Sequence, residues 1–147
     1  MGCADVCLDM DYEGSNEFYS DKMVKARKAH RCCECRESIP VGDTYHYACG
    51  KSDGDFWTNA TCATCHEIRA AFTCGSWVFT QLWEMVCAEM FPVWNTQGPY
   101  DCLAKLTTPK AIKLCNDRYR QWRIDCDYDE EPDRRTNERM IHGGPIV

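Results

Sequence analysis

The chain has 147 residues and a formal net charge of −6, because 17 lysine and arginine residues stand against 23 aspartate and glutamate residues. This length suits one compact domain or a small metal-nucleated module with an extension, and it excludes two ordinary domains. The negative charge excludes a protein that coats nucleic acid or an anionic membrane through bulk charge, so any such binding has to be local.

Thirteen cysteines are the most unusual feature of the composition. In a short secreted chain this number would indicate a disulfide scaffold. Residues 1–9, however, have neither the basic start nor the apolar run of a signal peptide. The sequence also contains no apolar stretch of the roughly 18 residues that a spanning helix needs, so no membrane association is expected. We therefore expect a cytoplasmic, reducing compartment, in which clustered cysteines usually bind metal.

Residues 1–21 form the first segment of the chain by composition. They contain six acidic residues and no basic residue, which predicts an extended acidic N-terminal arm. Cys3 and Cys7 of this arm, together with Cys74, are candidate ligands of a second metal ion if the arm folds back. A fourth ligand for that site is not evident, and the alternative is a disordered arm.

Residues 22–74 contain most of the cysteines and histidines. Two residues separate Cys32 from Cys35, and the same spacing recurs between Cys62 and Cys65. Two such pairs supply the four thiolates of a tetrahedral structural zinc site, so zinc is the expected cofactor. Cys32 is a better ligand than its neighbour Cys33, because only one residue would separate Cys33 from Cys35.

The sequence between the two cysteine pairs predicts a β-hairpin. Two β-prone runs, 44–49 and 56–61, flank a predicted turn at 50–55. A helix then begins with the second cysteine pair on its first turn. The buried face of that helix is predicted to hold Ile68, Ala71 and Phe72. A knuckle, a hairpin and a ligand-bearing helix follow one another in a treble clef, so we expect a small α+β zinc-binding module of this type with a C-terminal α-helical extension.

Residues 75–126 are that predicted helical extension. Apolar residues up to Met90 fit one face of a buried helix that Pro92 ends. A second helix is predicted to begin at Pro109, directly after a threonine that can cap it. The apolar face of this second helix consists of Ile112, Cys115, Tyr119, Trp122 and Cys126. Residues 127–147 complete the chain as an acidic and polar tail.

Several stretches of the sequence resemble small zinc-finger-like proteins encoded by bacteriophages and prophages. The stretches that carry the resemblance are 17–19, 24–35, 39–43, 50–56 and 61–65. The resemblance implies a zinc site and a setting in the cytoplasm of a bacterial host, and it brings no activity because these proteins are largely uncharacterised. Many of them also have a cysteine-bearing acidic N-terminus and a Cys-x-Cys-Trp motif after the helix, in which this chain has Ser76 at the second cysteine.

The leading functional prediction is a protein-protein interaction module. The chain has five tryptophans and seven tyrosines, and these residue types are favoured as interface anchors. Trp57 and Tyr47, which we expect to be exposed on the predicted hairpin, are the candidate interface residues. Acidic segments at both ends favour a basic partner. The expected partner is a host protein or complex that handles nucleic acid or serves in defence, which the protein would bind and inhibit or modulate.

A DNA-binding regulatory zinc-finger protein is the first alternative. The segment from residue 22 to residue 36 contains six cations and one acid, and basic side chains of this kind can contact phosphates. The candidate DNA contacts are Lys22, Lys25, Arg27, Lys28 and Arg31. The same cations also fit a solvated basic face that the acidic arm and tail neutralise.

An HNH-type nuclease, active or degenerate, is the second alternative. Such nucleases resemble this segment, and His46, Asn59 and His66 lie in roughly the corresponding places, where His46 would activate water for metal-assisted hydrolysis. Tyr45 stands where those enzymes have an acid before the histidine. On a strand, His46 would share a face with residues such as Ala48 and not with an acid. We therefore expect no catalytic residue and no enzymatic activity.

Overall fold

The computed structural model describes residues 16–73, 77–98 and 103–126. Within these ranges the chain has an α+β structure that consists of antiparallel strands followed by helices. The described residues belong to two compact units. The first contains residues 16–73 and 77–83, and the second contains residues 84–98 and 103–126.

The first unit contains five strands in two antiparallel sheets. In chain order they are β1 (Asn16–Lys25), β2 (His30–Arg31), β3 (Ser38–Ile39), β4 (Thr44–Ser52) and β5 (Asp55–Cys62). Strand β4 lies between β1 and β5 in a three-stranded sheet, and the two short strands β2 and β3 pair with each other. The predicted hairpin is therefore present as β4 and β5, and β1 adds a third strand to it.

The turn between β4 and β5 is shorter than predicted. Asp53 and Gly54 alone form it, with φ angles of 51° and 85°. Two successive residues with positive φ are typical of a type I′ turn, which joins twisted antiparallel strands. Gly50 consequently lies inside β4, opposite Trp57 of β5, and not in the predicted turn. A side chain at this position would collide with the indole, because a Cβ atom would lie 2.5 Å from Cζ2 of Trp57.

Helix α1 (Ala63–Phe72) follows β5 directly. Cys62 caps its N-terminus, since the sulfur accepts a hydrogen bond from the backbone N–H of Cys65 at 3.4 Å. Ile68 and Phe72 are buried as predicted. Arg69 is buried on the same side of the helix, which the sequence pattern did not indicate.

Side chains alternate between two faces of the three-stranded sheet, and the strand register assigns each residue to one of them. The inner face contacts α1 through hydrogen bonds from Arg69. Its residues include Tyr19, Asp21, Met23, His46, Ala48, Gly50, Trp57, Asn59 and Thr61. The outer face is the opposite one, and its residues include Phe18, Lys22, Tyr47, Cys49, Lys51, Phe56 and Thr58.

Strand β1 spans the predicted boundary between the arm and the module. The boundary after residue 21 falls inside this strand, which runs from residue 16 to residue 25. Glu17 and Asp21 are compatible with a strand because β1 lies at the edge of its sheet, where both residues remain exposed to water. The remainder of the predicted arm, residues 1–15, lies outside the described residues.

Pro92 does not end the helix, contrary to the prediction. The chain runs without interruption from α2 (Leu82–Met85) through a π-helical turn (Val86–Met90) into α3 (Phe91–Gln97). The backbone N–H of Phe91 donates to the carbonyl of Val86, five residues earlier, and this wider turn places Pro92 at the second position of α3. A proline is tolerated there because its missing N–H is not needed in the first turn of a helix.

Residues 77–81, which the apolar pattern assigned to that helix, are not helical. Thr80 has a φ angle of 74°, which is incompatible with a right-handed helix. The predicted boundary at residue 75 also differs from the structure, because residues 77–83 belong to the first compact unit.

Helix α4 (Pro109–Asp125) begins where the sequence predicted. The Thr108 side chain caps it by accepting a hydrogen bond from the N–H of Ala111 at 3.3 Å. Of the predicted apolar face, Cys115 is buried, but Cys126 is exposed because the helix ends before it. No helix within the described ranges is both long enough and apolar enough to cross a membrane.

Aromatic rings form the core of the second unit. Phe91 and Trp94 of α3 pack against Tyr119 of α4, with their ring centroids 5.3 and 5.5 Å from that of Tyr119. Trp122 stacks on Tyr119 at 6.0 Å. Asn95 accepts hydrogen bonds from the Tyr119 hydroxyl and from Arg123, which ties α3 to α4.

Candidate metal centre

The four cysteines that the sequence predicted as ligands lie together. The sulfur atoms of Cys32, Cys35, Cys62 and Cys65 are all within 4.8 Å of one another. The sulfurs of Cys35 and Cys62 are 3.9 Å apart. Sulfurs bound tetrahedrally to zinc at about 2.3 Å are about 3.8 Å apart, so the group could hold a metal ion with little adjustment. Three of the residues are buried and Cys62 is half-buried.

Backbone groups from both cysteine pairs converge on the sulfur of Cys32. It accepts hydrogen bonds from the N–H of Glu34 at 3.4 Å and from the N–H of Cys62 at 3.3 Å. The knuckle, residues 32–37, is closed by a bond from the N–H of Cys32 to the carbonyl of Glu37 at 2.9 Å. Hydrogen bonds of this kind favour the thiolate form that a metal requires.

Cys33 is not part of the sulfur group, as the spacing predicted. Its sulfur lies 3.4 Å from the hydroxyl of Thr61, and its backbone N–H donates to the carbonyl of Ala60 at 2.8 Å. Burial raises the pKa of the Cys33 thiol. Cys33 therefore retains its proton, and Cys32 is the member of the pair that faces the other ligands.

Proximity makes the protonation of the four thiols interdependent. Contacts with Cys35, Cys62 and Cys65 lower the pKa of Cys32. Contacts with Cys32 and Cys35 raise the pKa of Cys62, and contacts with all three other thiols raise the pKa of Cys65. The contact with Cys32 raises the pKa of Cys35, but the contacts with Cys62 and Cys65 together lower it more, and the pKa of Cys35 is about 7. Four thiolates cannot gather here without a cation, so the arrangement favours a metal ion in exchange for protons.

A buried ion pair adjoins the sulfur group. Glu34 lies inside the knuckle and Arg69 lies on α1, and neither side chain is exposed. The Arg69 guanidinium donates to Oε2 of Glu34 at 2.9 Å and to the hydroxyl of Thr61 at 3.2 Å. Glu34 also accepts the backbone N–H groups of Thr80 at 3.2 Å and Leu82 at 3.1 Å. Burial raises the pKa of the Glu34 carboxyl, although these donors oppose the shift.

His46 lies in the middle of the inner face and is 2% exposed. Arg69 can only donate, so Nδ1 of His46, 3.3 Å from the guanidinium, carries no proton. Nε2 therefore holds the ring proton and donates it to Asp21 at 2.8 Å. The expectation that no acid faces His46 is wrong, because the register of β1 against β4 places Asp21 opposite Ala48, on the same face.

His66 stacks on His46, with ring centroids 4.2 Å apart and an angle of 7° between the planes. Burial, together with His46 and Arg69, lowers the pKa of His66 to about 4. Asn59, the third residue of the nuclease alternative, is half-buried on the inner face opposite Ala48. The structure thus brings the two histidines together in a buried polar network.

The two predicted interface residues lie on opposite faces of the sheet. Trp57 is a half-buried residue of the inner face, and its Nε1 donates to the hydroxyl of Ser52 at 3.1 Å. Its ring packs 5.9 Å from Tyr19 and 5.7 Å from Phe79. The expectation that Trp57 is an exposed aromatic residue is therefore wrong. Tyr47 is half-buried on the outer face.

The sequence reasoning missed two exposed aromatic residues of the outer face. Phe18 is 48% exposed and Phe56 is 77% exposed. They flank Lys51 in the register, and the Lys51 ammonium lies 5.4 Å from the centroid of the Phe56 ring. Lys51 also pairs with Glu17 at 3.5 Å. The β-prone residues Phe18, Tyr19 and Val24 were the available signal, but the acidic composition of residues 1–21 predicted an arm instead.

The five cations proposed to contact DNA are all exposed. Lys22 and Lys25 lie on β1, Arg27 and Lys28 follow it, and Arg31 lies on β2. No ion pair among the described residues involves any of them. Arg31 donates to the carbonyl of Arg36 at 2.8 Å.

No protein-family model, curated protein or solved structure matches this chain. The resemblance to phage proteins therefore stays a prediction from the sequence. The candidate second metal site also stays a prediction, because Cys3, Cys7 and Cys74 lie outside the described residues.

Proposed function

We propose that the first unit is a treble-clef-like module built around a structural zinc ion on Cys32, Cys35, Cys62 and Cys65. The order of its elements supports this proposal, because a knuckle, a hairpin and a helix follow one another and the cysteines lie at the knuckle and the helix start. Four thiolates complete the tetrahedral coordination of zinc and leave no position for a water molecule. The ion would stabilise the fold and would not act on a substrate.

Binding, and not catalysis, is the role that the surroundings of His46 support. A general base must reach the proton that it removes, either directly or through a water molecule. His46 is buried, and both of its ring nitrogens are occupied by Asp21 and Arg69. His66, with a pKa of about 4, and the stacked His46 act in this proposal as parts of the core.

The proposed function is protein-protein interaction through the outer face of the sheet. The observation that carries it is the exposure of Phe18 and Phe56 on that face. Exposed aromatic residues with a polar rim are typical of protein interaction sites. Glu17, Asp53 and Asp55 are exposed at this end of the sheet, and these carboxylates complement a basic partner.

The phage setting implied by the sequence resemblance suggests the kind of partner. We propose a host protein or complex in the bacterial cytoplasm that handles nucleic acid or serves in defence, since such proteins carry basic surfaces. The protein would bind this partner and inhibit or modulate it. The proposal assigns the anchoring contacts to Phe18 and Phe56, with Tyr47 farther along the same face.

Affinity purification from a bacterial host, with nuclease treatment of the lysate, tests this function. The unmodified protein should retain a partner protein after the treatment. Phe56→Ala should weaken the affinity for that partner by roughly 30-fold, the loss expected at a hot-spot residue, and should lower its recovery accordingly. Thr58→Ala is the matched control, because Thr58 is an exposed residue of the same strand and face.

The assignment of the outer face would be contradicted if Phe56→Ala and the double variant Phe18→Ala, Phe56→Ala both recovered as much partner as the unmodified protein. Zinc content is measured in each variant, so that a loss of the fold is not taken for a loss of the interface. Both phenylalanines lie near the turn between β4 and β5, at the opposite end of the sheet from Cys62, and their replacement should leave the zinc content unchanged.

DNA binding is a second candidate function, and the five exposed cations favour it. Phosphate contacts of this kind produce binding that weakens steeply with salt. A partner that disappears on nuclease treatment, together with salt-dependent binding of duplex DNA that Arg27→Gln and Lys28→Gln weaken, would support this candidate. Glu37→Gln, an exposed change in the knuckle, is the control.

A further inference from the structure

Glu34 is placed to act on both halves of the candidate metal centre. It lies between Cys32 and Cys35 in the sequence, and its backbone N–H donates to the sulfur of Cys32. Its side chain is buried in the interior of the unit, where it pairs with Arg69. One residue therefore contacts a ligand through its backbone and the helix of the other cysteine pair through its carboxylate.

Arg69 lies on the helix that carries the second cysteine pair. Cys62 caps α1 and Cys65 lies in its first turn, so Arg69 follows Cys65 by about one turn. The guanidinium reaches Glu34 and also bonds to Thr61, the residue before the cap. The pair consequently links the knuckle to the end of β5 and to α1, the two parts of the chain that have to meet for a metal to bind.

We propose that the Glu34–Arg69 ion pair is a positioning element of the metal site, which holds the two cysteine pairs together before the metal arrives. Without this pair, the knuckle would be held to the end of β5 by weaker contacts such as the backbone bond from Cys33 to Ala60, and more of the metal's binding free energy would be lost to ordering the two cysteine pairs. With the contact, the four sulfurs are gathered in advance. The inference depends on the metal-binding capacity of the sulfurs and is independent of the proposed partner.

The energetics of buried charges favour a positioning role over a contribution to stability. A buried ion pair gains little over well-packed apolar side chains, because both charges lose their water. Here the carboxylate is fully engaged, since Thr80 and Leu82 donate to it as well as Arg69. The rings of Trp77 and Phe79 lie 4.7 and 4.8 Å from the guanidinium. These directional contacts specify one arrangement of the knuckle relative to α1.

The test measures metal affinity in the full chain by competition between the protein and a chelator, with Zn²⁺ and with Co²⁺. Glu34→Gln should weaken the affinity by roughly 10- to 100-fold, the usual effect of losing an outer partner of a metal site. Glu37→Gln, an exposed glutamate of the same knuckle, should leave it unchanged. The double variant Glu34→Gln, Arg69→Gln should lose no more than the larger of the two single effects, because the two residues act as one contact.

A stability control separates positioning from general destabilisation, since metal binding and folding are coupled. Gly50→Ala creates a collision with Trp57 on the inner face and touches neither Glu34 nor Arg69. Relative to the unfolding free energy that each variant loses, Glu34→Gln should weaken metal affinity more than Gly50→Ala. Hydrogen exchange adds a second readout, because the amide of Leu82 should exchange faster in zinc-loaded Glu34→Gln and not in zinc-loaded Gly50→Ala.

The inference is overturned if the loss of metal affinity, relative to the loss of unfolding free energy, is the same in Glu34→Gln and Gly50→Ala. It is also overturned if the unmodified chain binds neither metal. If Glu34→Gln does not fold even with zinc, Arg69→Lys replaces it. This variant keeps the positive charge but loses the planar group of donors that reaches Glu34 and Thr61 together. It should weaken metal affinity relative to Glu37→Gln, and an unchanged affinity would again overturn the inference.

Discussion

Two adjacent cysteines offer the sharpest test of the metal centre. Cys32 belongs to the sulfur group, whereas Cys33 faces the hydroxyl of Thr61. Cys32→Ser and Cys33→Ser are the same chemical change one residue apart. We expect the first variant to lose zinc affinity and the second to keep it.

The expected magnitude follows from the geometry of the site. Structural zinc binds to small modules with an apparent free energy of about 10 to 16 kcal/mol at pH 7. Shared among four equivalent sulfurs, this gives about 2.5 to 4 kcal/mol for each, which is roughly a 60- to 700-fold loss of affinity for Cys32→Ser. The loss should lie toward the upper end, because the Cys32 sulfur also accepts two backbone N–H groups. Cys33→Ser should change stability by no more than about 1 kcal/mol, since a serine hydroxyl can still bond to Thr61.

The assay is elemental analysis of the purified variants, followed by titration with a chelator of known zinc affinity. The unmodified protein and Cys33→Ser should hold zinc equally tightly, and Cys32→Ser should release it at lower chelator concentration. Zinc lost from Cys33→Ser and retained in Cys32→Ser would refute the ligand assignment. Equal retention in both variants would refute the four-sulfur site.

Four further predictions address the fold, the site and the absence of catalysis. Gly50→Ala should lower the free energy of unfolding by about 1 to 3 kcal/mol in urea denaturation, because the new Cβ would lie 2.5 Å from the Trp57 ring and 2.7 Å from the carbonyl oxygen of Phe18; an unchanged midpoint would contradict the packing. Zinc affinity should fall as the pH decreases through 7, because protons compete for the thiolates; the pKa of Cys35 is about 7 and those of Cys62 and Cys65 are raised, so calorimetry in two buffers should also detect proton release on binding. A second ion on Cys3, Cys7 and Cys74 predicts two zinc ions per chain and one after removal of residues 1–10, whereas an unchanged content would exclude that site. The purified protein should not cleave DNA with Mg²⁺ or Mn²⁺, and nicking that His46→Ala abolishes would instead support the nuclease.

Local sequence signals predicted the parts of the structure that depend on neighbouring residues. The two-residue spacing of each cysteine pair identified all four members of the sulfur group and separated Cys32 from Cys33. Alternating residues predicted β4 and β5, and a threonine before Pro109 predicted the start of α4. These features are local because turn geometry, strand alternation and helix capping are each decided within a few residues.

Contacts between distant residues were not predictable from such signals. The pairing of Asp21 with His46 depends on the register of β1, a strand that the acidic composition concealed. Arg69 has the local pattern of a surface cation on a helix, and its burial follows from Glu34, which is 35 residues earlier. Pro92 predicts a helix end from the sequence alone, because the π-helical turn that accommodates it leaves no mark in apolar periodicity.

The inner-face contacts connect the four-sulfur group at one end of the sheet with the proposed binding surface at the other end. The sulfur group fixes the start of α1, and Arg69 of that helix donates to His46 on β4. His46 in turn donates to Asp21 on the edge strand β1, which also carries Phe18 on its outer face. Because an edge strand has a partner on one side only, this side-chain contact adds to the backbone ladder that holds it in place. A strand fixed in this way presents its aromatic anchor at a low entropic cost, which is the property that a binding surface requires.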